Sequence, residues 1–171
     1  TVKAVWIACT NPVHSMPDIG RVREALQRAE YVIVQDAFRD TDTVPFADVL
    51  LPAATWGEKE GTVTNSERRV SRVRAAVAPP AQARTDFWIA REVARRLEAR
   101  LASPGAPALF DFDDARAAFE EHRRLTVGRD LDIGGIDYAR LDADGPQQWP
   151  FPAGATQGQA RRYEEGRFAT P

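Results

Sequence analysis

The chain has 171 residues, of which 43% are hydrophobic and 28% charged, a length and balance that fit one globular domain with a true core or one domain with a long appendage. A net charge of −2 gives no field to recruit nucleic acid, and no apolar run reaches the roughly 20 residues of a membrane span. Cys9 is the only cysteine, which excludes an internal disulfide, an all-cysteine zinc site and an iron–sulfur cluster held by this chain alone.

Residues 2–8, VKAVWIA, form a continuous apolar run that predicts a strand covered on both faces. After the turn CTNPVHS, Ser15 and Asp18 fit a capping box with Pro17 in the first helical turn. Ile19, Val22, Leu26 and Ala29 then recur at helical spacing. YVIVQD, residues 31–36, reads as a second buried strand, so that strand, helix and strand make one βαβ unit. ADVLLP, residues 47–52, is a shorter third strand. Residues 85–101 read as an amphipathic helix capped by Thr85, with Trp88, Ile89, Val93, Leu97 and Leu101 inward.

Composition shifts at ASPGAPAL, a Pro/Gly linker, and residues 111–124 predict a short helix with Phe112, Ala115, Phe119 and His122 on one face. Beyond Thr126 the chain is rich in Gly, Pro, Asp and Gln. Its aromatics, Tyr138, Trp149, Phe151, Tyr163 and Phe168, are spaced too irregularly to predict a core of their own, and are expected to dock on the α/β body or on an absent domain. The fold class that follows is α/β: a three-layer, open, mostly parallel sheet with flanking helices, plus an irregular C-terminal extension. The expected division is an α/β cofactor-binding domain at 1–102, then a linker, short helix and irregular extension at 103–171 packing on it. The abrupt ends read as those of a piece of something longer.

GxGxxG, GxxxxGK, GxSxG and HExxH motifs are all absent. His14 and His122 lack neighbours at ligand spacing and read as structural. Cys9, at a strand end, reads as a small core residue, and Glu58 and Glu60 as solvated carboxylates. Arg68, Arg69, Arg72 and Arg74 are too few for a nucleic-acid face and predict a polar surface packing on a neighbouring domain.

In an open α/β sheet, ligands bind beyond the carboxyl ends of the strands. Three polar turns lie there: TNP, QD and WGEKEGT. Asn11 and nearby N–H groups precede a helix, which favours phosphate. Asp36 ends a strand and can accept from ribose hydroxyls or the N–H edge of a base. Lys59 is a point charge for phosphate. Asp86, in the first turn of the long helix, reads first as a capping residue but can reach the same site. Each is singly more at home in a structural role; together they favour a nucleotide-bearing ligand.

These stretches, CTNP, VIVQD, ADVLLPAATWGEKEGTVTNSERR and PAQARTDFWIAREVARR, resemble the third domain of the molybdopterin oxidoreductases. Those are large enzymes that carry molybdenum on two molybdopterin guanine dinucleotides. The tail, TVGRDLDIGGIDYARLDADGPQQWPFPAGA, is similar to the assimilatory nitrate reductase branch, cytoplasmic bacterial enzymes that make nitrite for nitrogen assimilation. The resemblance covers nearly the whole chain. It implies that Asn11, Gln35, Asp36, Lys59 and Asp86 line one arm of a molybdenum-bis(molybdopterin guanine dinucleotide) cofactor.

It also implies a nitrate-reducing parent enzyme with an iron–sulfur cluster outside this chain. The partners implied are the remaining domains of the parent catalytic subunit, an electron-donor protein or domain, and nitrate as substrate, with no nucleic acid and no membrane. The family's cysteine cluster, molybdenum ligand and carboxy-terminal pterin-binding domain are absent, so no catalytic or metal residue is assigned and the isolated chain is expected to be inactive. Two alternatives stay open: a formate dehydrogenase-like molybdopterin subunit, which shares the core motif, and a non-catalytic nucleotide-binding or interaction module.

Overall fold

Val32 and Val34 are 1% and 0% exposed because their strand, β2 (Tyr31–Asp36), lies between β1 (Ala4–Ala8) and β3 (Val49–Pro52) in a parallel sheet of order β1-β2-β3. Val32 pairs with Val5 on one side, and Val34 with Leu50 on the other. The computed structural model of the chain describes residues 2–158, 161, 163 and 166. Its residues fall into two units, Thr1–Glu58 with Val77–Ala102, and Lys59–Ala76 with Ser103–Pro171.

The first unit is the α/β part. β1 leads into a short helix, α1 (Pro12–Ser15), then α2 (Ile19–Arg28), which returns the chain to β2. Ile7, Val13, Leu26, Val32 and Val34 form its core. Asp48 sets β3 beside β2: its carboxylate accepts from the Val32 N–H at 2.7 Å, and its own N–H donates to the Val32 carbonyl at 2.8 Å.

Three expectations for this unit are corrected. β1 is not covered on both faces: Val5 and Ile7 pack into the core on one face, while Ala4, Trp6 and Ala8 on the other are exposed, Trp6 by 39%. Ser15 does not cap α2, because it closes α1. Asp18, in left-handed backbone (φ 53°), caps α2 by accepting from the Arg21 N–H at 3.3 Å. α3 (Asp86–Leu101) does start at a Thr85 cap, whose hydroxyl accepts from the Trp88 N–H at 3.1 Å. Its apolar stripe is not inward, however: Ile89 is buried, but Leu97 and Leu101 are 52% and 78% exposed. A helix of 16 residues runs about 24 Å, more than strands of four to six residues can cover.

The second unit holds an antiparallel sheet of order β4-β5-β6, formed by β4 (Gly61–Thr64), β5 (Arg69–Val73) and β6 (Gln147–Gln148), with α4 (Ala115–Thr126) and α5 (Tyr138–Asp144). The sequence division placed residues 59–76 with the first domain. Their hairpin instead shares a core with the later segment: Val70, Phe119, Ile133, Ile136, Tyr138, Leu141 and Phe151. Tyr138 and Phe151 therefore do build a core, and Trp149 packs against it, whereas Tyr163 is 48% exposed. Phe168 lies outside the described residues.

Side-chain hydrogen bonds order the aperiodic stretch. Thr126 Oγ1 accepts from the Ile133 N–H at 3.0 Å, and Asp132 accepts from Gly128 and Gly134 N–H groups at 2.8 and 2.7 Å. Asp114 caps α4 by accepting from the Ala117 N–H at 2.8 Å; Phe112 precedes that helix and His122 on it is exposed.

The arginine run is absorbed within this unit. Arg72 meets Glu60 at 2.8 Å, Arg74 pairs with Asp142, and Arg68 lies 4.8 Å from the Trp149 ring centroid. Among the described residues no helix is long and apolar enough to cross a membrane.

Candidate functional site

The carboxyl ends of the parallel strands meet the amino end of α3, and backbone pairing beyond β3 brings this about. Ala53 bridges Arg84 in parallel; the Arg84 N–H donates to the Pro52 carbonyl at 3.1 Å, and the Ala54 N–H to the Arg84 carbonyl at 2.8 Å. Ala53 and Ala54 are buried, and their small side chains suit this close approach. Thr85 and Asp86 follow at once, so the first turn of α3 stands at the strand ends.

Gln35, 4% exposed, donates from Nε2 to Asp86 Oδ1 at 2.8 Å. Cys9 Sγ lies 3.9 Å from the same oxygen, and the Cys9 N–H donates to the Gln35 carbonyl at 3.4 Å. Cys9 is exposed and not a core residue as expected, because the chain turns through a left-handed conformation there (φ 59°) as it leaves β1.

Asp36 Oδ1 accepts from the Phe38 N–H at 2.9 Å, closing an Asx turn, while the Asp36 carbonyl accepts from the Ala53 N–H at 3.0 Å. A carboxylate has more acceptor sites than that one turn uses.

Asn11 is fixed by Thr43, which is 0% exposed. The Thr43 hydroxyl accepts from the Val13 N–H at 3.2 Å and donates to Asn11 Oδ1 at 2.5 Å. With Oδ1 so engaged, the Asn11 amide nitrogen is the donor side of the group. Backbone donors for phosphate are already spent here. Pro12 has no N–H, that of Val13 goes to Thr43, and those of His14 and Ser15 go to the Asn11 carbonyl at 3.0 and 2.9 Å. A phosphate-donor role therefore falls to the Asn11 side chain. A concavity of about 760 Å³ opens beside it, lined also by Arg23, Gln27, Asp40, Thr41 and Phe46. Thr43 itself has no sequence signal, since it sits in the polar run DTDT where periodicity says nothing.

Asn11, Gln35, Asp36 and Asp86 thus belong to one unit, with Gln35 and Asp86 in direct contact. Lys59 belongs to the second unit, between a 3₁₀ turn (Trp56–Glu58) and β4. The acids around it hold structure: Glu58 accepts from the Thr55 N–H at 2.8 Å and Glu60 pairs with Arg72. Asn65 shapes the hairpin turn, accepting from the Glu67 and Arg69 N–H groups at 3.1 and 3.0 Å while Arg68 takes a left-handed conformation (φ 66°). Among the described residues no group of three or more His, Cys, Asp or Glu side chains could hold a metal ion.

The family model described as Molybdopterin oxidoreductase matches residues 1–96. The chain belongs to the molybdopterin oxidoreductase family. Membership implies a molybdenum–molybdopterin cofactor.

The chain is 44% identical over 170 residues to the nitrate reductase of Synechocystis sp., covering 97% of this chain and 23% of that protein. Against the assimilatory nitrate reductase of Haloferax mediterranei it is 45% identical over 171 residues, 98% of this chain and 23% of that protein. The F420-dependent formate dehydrogenase subunit alpha of Methanocaldococcus jannaschii is 40% identical over 149 residues, 87% of this chain and 20% of that subunit. The chain thus spans between 20% and 23% of the length of these three molybdopterin relatives. Its fold is similar to that of acetylene hydratase from Pelobacter acetylenicus, with a TM-score of 0.62 at 20% identity over 82% of this chain and 18% of that one.

Proposed function

We propose that this molybdopterin oxidoreductase chain is part of the catalytic subunit of a molybdenum-dependent assimilatory nitrate reductase, converting nitrate to nitrite in the cytoplasm. Its role there is to hold the guanine dinucleotide arm of one pterin. The observation that carries the reading is identity of 44%, 47% and 45% to three nitrate reductases, one of them assimilatory, against 40% to a formate dehydrogenase subunit. The formate dehydrogenase-like reading is the second, favoured by the 40% identity of that subunit.

The groups at the strand ends fit a nucleotide. The Asp36 and Asp86 carboxylates are acceptors suited to ribose hydroxyls and to the N–H edge of guanine. The Asn11 amide, oriented by Thr43, is a donor suited to a phosphate oxygen. Lys59 is assigned a phosphate on its motif alone, and Gln35 enters the site through what it holds. When bound, the molybdenum centre supplies the two-electron chemistry that removes an oxygen atom from nitrate. The residues of this chain bind and orient the cofactor's nucleotide end. An iron–sulfur cluster, the electron donor and the remaining domains of the catalytic subunit belong to the reading as partners outside this chain.

The test of the activity is the intact parent protein with reduced dye: nitrite from nitrate is expected, and formate oxidation without nitrate reduction would overturn it. Lys59→Ala in that protein should lower bound molybdenum and guanine while leaving the fold intact. The nucleotide role is tested on this chain by NMR titration with guanosine diphosphate, for which affinity on the order of millimolar is expected. Asp36→Asn is a clean variant, because an asparagine oxygen can still close the turn to Phe38 while the charge is lost. Shifts at Asn11 and Asp36 that persist unchanged in Asp36→Asn would remove Asp36 from the site.

A further inference from the structure

Gln35 occupies a place where a strand would ordinarily carry an apolar side chain. It is 4% exposed in the central strand of the parallel sheet, directly after Val34, which is 0% exposed. A buried amide is costly unless its hydrogen bonds are made. This one reaches across 51 residues of sequence to Asp86 Oδ1 at 2.8 Å, while the backbone carbonyl of the same residue takes the Cys9 N–H at 3.4 Å. Gln35 is therefore a pin between the carboxyl end of β1 and the amino end of α3. Asp86 is not the residue that caps that helix, since Thr85 accepts from the Trp88 N–H. Its Oδ1 is turned toward Gln35 instead, with Cys9 Sγ 3.9 Å from the same oxygen.

We propose that Gln35 is a positioning residue: it fixes the Asp86 carboxylate as an acceptor for the N–H edge of a guanine-bearing ligand and does not touch that ligand through its own side chain. The inference rests on the nucleotide-holding reading above and deepens it. Enclosure keeps the Gln35 amide from a ligand, while the charge it orients sits in the first turn of α3. Residue length matters too. Asparagine is one methylene shorter, and glutamate would set a second carboxylate against Asp86, so neither would reproduce the contact.

The test is a double-mutant cycle on the 171-residue chain, with guanosine diphosphate as the probe and Gln35→Leu, Asp86→Ala and their combination as variants. Gln35→Met serves as a second near-isosteric replacement if leucine disturbs the fold. Removing one hydrogen bond that orients the acceptor should weaken binding by about twofold to tenfold in the presence of Asp86. In the Asp86→Ala background the same change should have no further effect, because no carboxylate is left to orient. Equal losses in both backgrounds would make Gln35 a direct contact and overturn the proposal. So would an unchanged affinity in Gln35→Leu when Asp86→Ala weakens binding.

A readout without nucleotide separates failure of this inference from failure of the reading beneath it. The side-chain amide protons of Gln35 should exchange slowly in the wild-type chain and faster in Asp86→Ala. If the chain binds no guanosine diphosphate, the nucleotide reading falls, and the pin is judged on this exchange alone. Fast exchange in the wild type, or exchange indifferent to Asp86→Ala, overturns it.

Discussion

Arg72 holds its guanidinium 3.8 Å from the centroid of the Tyr138 ring while donating to Glu60 at 2.8 Å and to the carbonyls of Gly61 and Val73 at 3.0 and 2.6 Å. One side chain of β5 thereby meets the first residue of α5. Its own side chain is 10% exposed, but its acidic neighbours Glu60 and Asp142 are 57% and 47% exposed, so ion pairing is screened and the ring and carbonyl contacts dominate. Arg72→Met should lower the unfolding free energy by about 1–3 kcal/mol in urea. Arg72→Lys should lose nearly as much, because an ammonium cannot stack or fork in the same way. A lysine variant as stable as wild type would mean that charge alone matters there.

Tyr138 is the other half of that contact, and it makes stability depend on pH. Its hydroxyl is buried with no hydrogen-bond partner among the described residues, and burial raises its pKa above the ordinary 10.0, with Arg72 opposing. The native state therefore keeps the phenol proton that the unfolded chain releases. This contribution is complete below about pH 10 and is lost as pH rises through the folded value. The wild-type urea midpoint should fall faster than that of Tyr138→Phe above about pH 10. Near neutrality the phenylalanine variant should be at least as stable, since it deletes an unpaired hydroxyl. Parallel curves from pH 7 to about 11 would show that this phenol is hydrated in the native state.

What the sequence made legible is local. The run YVIVQD and the Thr85 cap identify β2 and the start of α3, because hydrophobic runs and capping residues act over a few positions. The Gln35–Asp86 bond spans 51 residues and has no local sign. The second core was missed for a different reason: Ile133, Tyr138 and Phe151 are brought together by the hydrogen bonds of Thr126 and Asp132, which leave no period in the sequence. In and after the WGEKEGT turn, Glu60 forms an ion pair with Arg72 and Asn65 shapes a hairpin turn, contacts that no local pattern announces. Asn11, Asp36, Lys59 and Asp86 could be picked out by their place at the strand ends, whereas Gln35 entered only through the family resemblance.

Gly135 tests whether the tail's core is as tight as the geometry indicates. A Cβ there would lie 2.5 Å from Phe151 Cδ1 and 2.6 Å from the Pro152 carbonyl oxygen. Neither neighbour can move easily, because Phe151 is 0% exposed and its carbonyl already accepts from the Gly135 N–H at 2.8 Å. Gly135→Ala should cost about 1–3 kcal/mol or more. Gly57→Ala is the control, with nothing within 4 Å of the added atom, and should stay within about 0.5 kcal/mol of wild type. Equal melting temperatures for the two variants would show that residues 132–152 do not close on Gly135.

Thr43 separates structure from ligand orientation. It is 0% exposed, and its hydroxyl stands between the Val13 N–H and Asn11 Oδ1. Thr43→Val keeps the shape and deletes the hydroxyl, leaving a buried N–H without its acceptor, which should cost about 1–3 kcal/mol. Thr43→Ser keeps the hydroxyl and loses a methyl, a cavity cost of about 1 kcal/mol. The two variants are thus destabilised by overlapping amounts, yet they differ in what they do to Asn11. Valine removes the hydrogen bond from Thr43 that holds the Asn11 amide in one orientation, so the donor offered to a phosphate is averaged with the acceptor. Titration with guanosine diphosphate, at a temperature where all three proteins are folded, should therefore show weaker binding by Thr43→Val than by Thr43→Ser. The Asn11 side-chain resonances should shift in the valine variant alone. Equal affinities for the two variants, with binding intact, would mean that the Asn11 amide is not a phosphate donor.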